Sequence, residues 1–192
     1  MTDLDKRPQR SPLNRDFFIG DATDVAPGLL NKVLVAGGCE GRIVEVEAYT
    51  GDDPASHSFR GRTERNAAMF GPAGHLYVYF TYGMHHCVNV STGAEGDGQA
   101  VLLRAVVPMS GLELMTARRG RGRRIADGPG KLCQAFAIDR SVNGVDLCDP
   151  SHGQPAIGIF DDGLEPPTEP QQSRRIGIRV GTDRLWRWSV AL

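Results

Sequence analysis

Between Arg42 and Val107 the chain concentrates residue types that could do chemistry on a flat, polar ligand. A strand-like run, RIVEVEAY, ends in the carboxylate of Glu47 and the phenol of Tyr49. A loop, SHSFRGRTERN, carries His57 among Arg60, Arg62 and Arg65. The run LYVYFTYGMHHCVNVS brings Tyr77, Tyr79, Tyr82 and Asn89, and VLLRAVVP sets one arginine, Arg104, in an otherwise apolar stretch. A positioned carboxylate can act as a general base, aromatic faces can hold a planar ring, and arginines can bind phosphate. With an aromatic at a turn tip, the set suits chemistry on a base taken out of a DNA duplex.

Each of these residues also has an ordinary structural reading. A glutamate on a half-exposed strand is usually a solvated surface residue. Glu47 has company that argues otherwise: Tyr49 shares its face, and Arg104, which needs a partner if buried, could pair with it. Tyr77 and Tyr79 read equally well as cavity walls or as β-favouring core residues of a hairpin. Tyr82 is harder to place in a core, because an aromatic at a hairpin tip buries little within its own domain. His57 reads by default as a loop histidine bonded to backbone. His75, His85, His86 and Cys87 suggest a metal site, but His85 and His86 point to opposite strand faces and no second cluster has ligand spacing, so no metal is expected. Gly128-Pro129-Gly130-Lys131 lacks the spacing and the Ser/Thr of a nucleotide-binding loop.

The elements that must position these side chains follow from pattern. From Arg42 the residues alternate, with Val44, Val46 and Ala48 on one side and Ile43, Glu45, Glu47 and Tyr49 on the other, which predicts a strand with Glu47 and Tyr49 about 7 Å apart. The stretch from Thr50 to Gly74 predicts a long loop with a short helix near Glu64 to Met69. Leu76 to Thr81 and His86 to Ser91 predict a protruding hairpin with Tyr82 at or beside its tip. Gln99 to Val107 reads as a buried strand, and Gly111 to Arg118 and Lys131 to Ile138 as helices. Pro150 to Ser173 reads as an irregular excursion, and Ile176 to Val180 with Leu185 to Val190 as two closing strands.

Length and composition set the frame. With 192 residues and 40% hydrophobic content, the chain predicts a single domain over 16–192 behind a loose tail over 1–15. No segment predicts a membrane span or signal peptide, so the protein is expected to be soluble and intracellular. Four widely spaced cysteines predict reduced, structural thiols. A formal net charge of −1 gives no hint of nucleic-acid binding by itself. Its distribution does: Arg60, Arg62 and Arg65 form one cationic group and Arg118, Arg119, Arg121, Arg123 and Arg124 another. Arg62, Arg65, Arg119 and Lys131 are the candidate phosphate contacts.

Taken in order, RIVEVEAY, ASHSFRGRTERNAAMF, LYVYFTYGMHHCVNVS, VLLRAVVP and GPGKLCQAF resemble the alkyladenine DNA glycosylase family, also called 3-methyladenine DNA glycosylases of the mammalian type. The resemblance implies a compact single-domain α+β fold around a curved antiparallel sheet, with the tyrosine hairpin in the minor groove. It implies hydrolysis of the N-glycosidic bond of alkylated or deaminated purines in double-stranded DNA. Glu47 then matches the general base that activates water, and Arg104 the arginine that holds water and carboxylate. Tyr49, His57 and Tyr79 match the residues that enclose the flipped base, Asn89 the side chain that disfavours guanine's exocyclic amine, and Tyr82 the intercalating wedge. A main-chain carbonyl near Ile176 to Ile178 would complete the water site. No amine matches a lyase position, so a monofunctional, cofactor-free monomer is expected, in the cytoplasm with the nucleoid in a bacterium or in the nucleus of a eukaryote.

Two other classes of function compete. A non-catalytic module could bind distorted or single-stranded nucleic acid by stacking and arginine contacts. Such a module needs neither Glu47 nor Arg104, and both are present. A carbohydrate hydrolase would need a second acid at a defined separation, and Glu45 lies too close in sequence to flank a sugar.

Overall fold

The computed structural model describes residues 10–81, 83–120, 122, 124–149 and 157–190. Tyr82, Arg121 and Arg123 lie outside the described residues. Nine strands form one strongly curled antiparallel sheet, a half-barrel: β1 (Ser11–Pro12), β2 (Val33–Ala36), β3 (Cys39–Tyr49), β4 (Leu76–Thr81), β5 (His85–Thr92), β6 (Gln99–Ser110), β7 (Gly158–Asp161), β8 (Gln171–Ser173) and β9 (Arg187–Ser189). The order across the sheet is β1-β7-β2-β3-β6-β5-β4. β6 covers one edge of β3 throughout, while β2 pairs with residues 39–42 of the other edge and β9 continues it along 45–47. Four helices complete this mixed α+β fold: α1 (Arg15–Phe18), α2 (Ala22–Gly28), α3 (Leu112–Arg119) and α4 (Pro129–Ala135).

Strand alternation divides the molecule into two faces. Leu76 and Val78 of β4, Val88 and Val90 of β5, and Val101 and Leu103 of β6 enter the main core, which α2 and α4 close with Ala22, Val25, Ala26, Leu132, Cys133 and Ala135. Their neighbours in sequence, Tyr77 and Tyr79, Cys87 and Asn89, Leu102 and Arg104, turn to the opposite face and line a cavity. The sheet thus serves at once as the roof of the core and the floor of the cavity.

The alternation expected along β3 is interrupted. Between β3 and β6 the register shifts three times, once at Glu40/Gly41 and twice around Glu45, so that Glu45 opposes Ala105 and Val46 opposes Leu103, leaving Val44 and Arg104 without direct partners. Bulges of this kind bend a strand and re-aim side chains. Ile43, expected on the side of Glu47, instead joins Val46 and Ala48 in the core. Past the bulge Glu47 and Tyr49 share a face as expected, and Arg104 is turned toward them. Glu47 is fully buried and is not the solvated surface residue that a strand glutamate usually is.

Other expectations need correction. The segment Ile176 to Val180 is not a strand; β9 pairs with β3 on one side and with β8, at Gln171–Ser173, on the other. The acid-rich excursion contains β7, which pairs with both β1 and β2 and is pinned by Lys32–Asp161 and Arg42–Asp162, both at 2.8 Å. Four residues between polar stretches carry too little periodicity to announce a strand. Residues 10–15, read as part of a loose tail, are docked: Arg10 pairs with Glu40 at 2.8 Å, β1 lies on β7, and Asn14 caps α1. The helix near Glu64 to Met69 is a 3-10 turn at Ala67–Phe70. All four cysteines are free.

Candidate active site

Glu47 sits at the centre of the cavity-bearing face with every partner a donor. The Tyr49 hydroxyl donates to its Oε2 at 2.8 Å, the Ile176 backbone N–H donates to Oε1 at 2.8 Å, and Arg104 Nη1 lies 3.2 Å from the same oxygen. A side chain so surrounded can only accept, as a carboxylate does. Burial, followed by the charge of Glu47 and the hydrogen bond to it, pushes the Tyr49 phenol well above its ordinary range, so it stays a donor. Arg104 is held from its other side by Glu45, with Nε to Oε1 at 2.7 Å, and Arg187 meets that oxygen at 3.1 Å. Burial opposes the charge on Arg104, but the carboxylates of Glu47 and Glu45 outweigh it and raise its pKa.

Next to this carboxylate opens a cavity of about 440 Å³, a size suited to a small planar ligand. Tyr77 and Tyr79 form one wall, stacked with centroids 5.4 Å apart, and His57 meets Tyr79 edge-on at 4.5 Å. His57 Nδ1 also bonds the Tyr77 hydroxyl at 2.9 Å. Although open to solvent along one edge, the imidazole is crowded by these rings; that burial, with the charge of Arg65 behind it, lowers its pKa and favours the neutral form. Burial pushes Tyr77 up to about 12 and Tyr79 higher still, so the wall carries no phenolate. Asn89 is buried on the floor, where its Nδ2 donates to the Tyr77 carbonyl at 3.0 Å and fixes the amide. Ile176 to Val180 close the opposite lip.

The structure therefore brings Arg104, Tyr49, His57, Tyr79 and Asn89 together around one space, with Glu47 buried directly behind Tyr49 and Arg104 and Tyr77 as a further wall that is also a core residue. Arg65 stands 6.0 Å from the Tyr79 ring, and Arg62 is exposed on the same loop. Arg119 and Lys131 are engaged elsewhere: Arg119 donates to the Ile125 carbonyl and Gln134, and Lys131 pairs with Asp127 at 2.7 Å. Among the described residues, no three of His, Cys, Asp and Glu gather to hold a metal ion, and no helix is long and apolar enough to cross a membrane.

Two site-bordering residues were missed from sequence. Asp53 and Arg175 form a fully buried ion pair beneath the two lips of the cavity. Each lies in a polar, aperiodic stretch, where charged residues read as solvated, and only the long-range pairing reveals them.

Residues 16–192 match the family model described as methylpurine-DNA glycosylase. A protein of Burkholderia lata is 56% identical over 183 residues, covering 93% of this chain and 87% of its own length. One from Streptomyces avermitilis is 46% identical over 192 residues (95% and 89%), and one from the archaeon Methanoculleus marisnigri 47% over 175 residues (87% and 88%). Each bears the name "Putative 3-methyladenine DNA glycosylase". The family match covers all but the first 15 residues, and the chain belongs to the methylpurine-DNA glycosylase family.

Proposed function

We propose that the protein is a monofunctional DNA glycosylase that flips an alkylated or deaminated purine from double-stranded DNA into the cavity and hydrolyses its N-glycosidic bond with a water activated by Glu47. Membership of the family and the names of the relatives support action on alkylated bases in DNA repair. The observation that carries the mechanism is the convergence of Tyr49, Ile176 and Arg104 on one buried carboxylate beside an aromatic cavity.

In the proposed step, the sugar–base bond lengthens, its electron pair moves onto the purine, and positive charge develops at the sugar. An alkylated purine already carries positive charge, so it leaves readily as a neutral base and is drawn to the aromatic faces of Tyr77, Tyr79 and Tyr49; a deaminated purine is neutral, leaves as an anion and takes up a proton from water. Glu47 stabilises the developing oxocarbenium ion and takes a proton from the attacking water, whose oxygen forms the new bond to the anomeric carbon. Arg104 and a carbonyl of the Ile176–Ile178 segment position that water. The products are free base and an abasic site; no amine nucleophile is invoked, so strand cleavage is not part of the reaction. Tyr82 fills the gap in the duplex, Asn89 disfavours guanine, and the enzyme acts as a monomer without a cofactor.

Glu47→Gln keeps the shape of the site and removes its proton acceptor. The variant is expected to bind a lesion-containing duplex as wild type does while losing single-turnover excision by at least ~100-fold, the scale of a general base. Near-normal excision would remove Glu47 from this role, and normal binding without excision by wild type would favour a non-catalytic binding module.

A further inference from the structure

We propose that Arg175, clamped by Asp53, is a positioning residue for catalysis: it sets the Ile176 N–H against Glu47 and backs the Tyr49 ring. The inference rests on the reading of Glu47 as the general base. Neither Arg175 nor Asp53 lines the cavity, so neither is offered as a catalytic residue.

Both terminal nitrogens of Arg175 are engaged, while its buried Nε has no hydrogen-bond partner. Both terminal nitrogens of its guanidinium engage the two carboxylate oxygens of Asp53, and both side chains are entirely shielded from solvent. Nη1 also donates to the Ala48 carbonyl at 3.0 Å, between Glu47 and Tyr49 in sequence, and Nη2 to the Gly181 carbonyl at 3.3 Å. The guanidinium lies over two rings, 4.7 Å from the Tyr49 centroid and 5.2 Å from that of Trp186. Arg184 also lies over the Trp186 ring, 4.4 Å from its centroid. The very next residue, Ile176, donates its backbone N–H to Glu47 Oε1 at 2.8 Å.

One side chain therefore joins three parts of the site. Asp53 belongs to the loop that supplies Pro54, Ala55 and His57 to the cavity; Ala48 belongs to the strand of the catalytic carboxylate; Gly181 ends the lip that begins at Ile176. Even the backbone at Gly181 conforms to the pair. Its φ of +60° suits glycine, and a Cβ there would come within 3.0 Å of Asp53 Oδ1 and 3.3 Å of Arg175 Nη2.

A buried ion pair is a poor way to gain stability, since apolar residues of similar volume often serve as well. What apolar packing lacks is direction. A planar, bidentate guanidinium fixes the orientation of the chain that carries it, and here that chain delivers a hydrogen bond to the reacting carboxylate. An error of about 1 Å in such an arrangement can cost ~100-fold in rate with little change in binding.

The test compares wild type, Glu47→Gln, the apolar pair Asp53→Leu/Arg175→Met, the near-isosteric Asp53→Asn, and the apolar pair combined with Glu47→Gln. Each is measured for melting temperature, affinity for an alkylated duplex, and single-turnover excision of the same lesion. The apolar pair should remain folded, bind the lesion within ~3-fold of wild type, and excise it ~10-fold to ~100-fold more slowly. Placed on Glu47→Gln, the same two changes should cost nothing further in excision, because there is no longer a base to orient. If the apolar pair fails to fold, Asp53→Asn is judged by the same criteria. Wild-type excision rates in a folded variant overturn the proposal, as does an equal loss with Glu47 and with Gln at position 47, which would mark a purely structural pair. An active wild type with an inactive Glu47→Gln leaves the general-base reading intact whichever way Arg175 behaves. A fully active Glu47→Gln overturns both.

Discussion

Asn89 illustrates how little freedom a side chain has once the sheet places it. Its amide nitrogen is tied to the Tyr77 carbonyl at 3.0 Å and the residue is buried, so it cannot swing away from a substituent that meets it. Asn89→Ser should therefore raise excision of guanine lesions relative to adenine lesions, because relieving a clash helps the disfavoured substrate more. Equal base preference in competition assays would move the filter elsewhere. His57 offers a second test through its charge. Folding holds its pKa below the ordinary value of 6.5, chiefly by burial and then by Arg65, so the stability gained by keeping it neutral is present above about pH 6.5 and is lost as pH falls toward the folded pKa. A protonated ring would also repel a cationic N-alkylpurine while leaving a neutral deaminated base less affected. Below about pH 6.5, excision of the cationic lesion should fall more steeply than that of the neutral one, and His57→Gln should remove the difference. Parallel profiles in wild type would sink the idea.

At the scale of elements, the hairpin that carries the tyrosine wall has an exposed-edge problem that the chain solves with a distant segment. β4 is the last strand of the sheet, and its outer edge is satisfied by residues 140–145. Val78 N–H donates to Asn143 Oδ1 at 2.9 Å, Leu76 N–H to the Val145 carbonyl at 2.8 Å, and Arg140 reaches the Val78 carbonyl at 3.3 Å. Asn143→Ala would leave the Val78 N–H without its partner at a core position, a cost of about 1–3 kcal/mol. Chemical denaturation should register that loss, and amide exchange should speed up first in β4; unchanged exchange there would mean that the edge is held in some other way. This contact also shows where sequence reasoning stops. Alternation made β3 legible and put Glu47 and Tyr49 on one face, and β-favouring and apolar runs marked β4 to β6, because such patterns are local. The bulges at Val44 and Arg104, the strand at Gly158–Asp161 and the Asp53–Arg175 pair depend on what lies opposite across the sheet, and a single chain does not announce its partners.

Across the whole molecule, charge is sorted by position, and a net of −1 conceals it. Away from the cavity, cations are mostly engaged: Arg10, Arg15, Lys32 and Arg42 are in ion pairs, and Arg118 is hydrogen-bonded to the Ala135 and Gly37 carbonyls. Among the described residues, Arg60, Arg62, Arg65, Arg140, Arg174 and Arg179 are exposed and make no ion pair, with Arg140 donating to the Val78 carbonyl. Of the other five, three belong to the loop of His57, Arg174 borders the Ile176 lip and Arg179 is part of it, so these five surround the cavity mouth. A polyanion that presents one unit to the cavity and phosphates to its rim would meet all of them. Duplex binding should weaken steeply with salt, and Arg62→Gln together with Arg179→Gln should each reduce the slope of log affinity against log salt by about 0.9 if each contacts one phosphate. Lesion and undamaged duplex should lose affinity alike, because phosphate contacts carry no information about the base. Arg119→Gln supplies the contrast. That side chain is already bonded to the Ile125 carbonyl and Gln134, so its loss should lower the melting temperature and leave the salt slope in place. A slope unchanged by the two rim variants but reduced by Arg119→Gln would put the duplex on the α3 face and not at the cavity mouth.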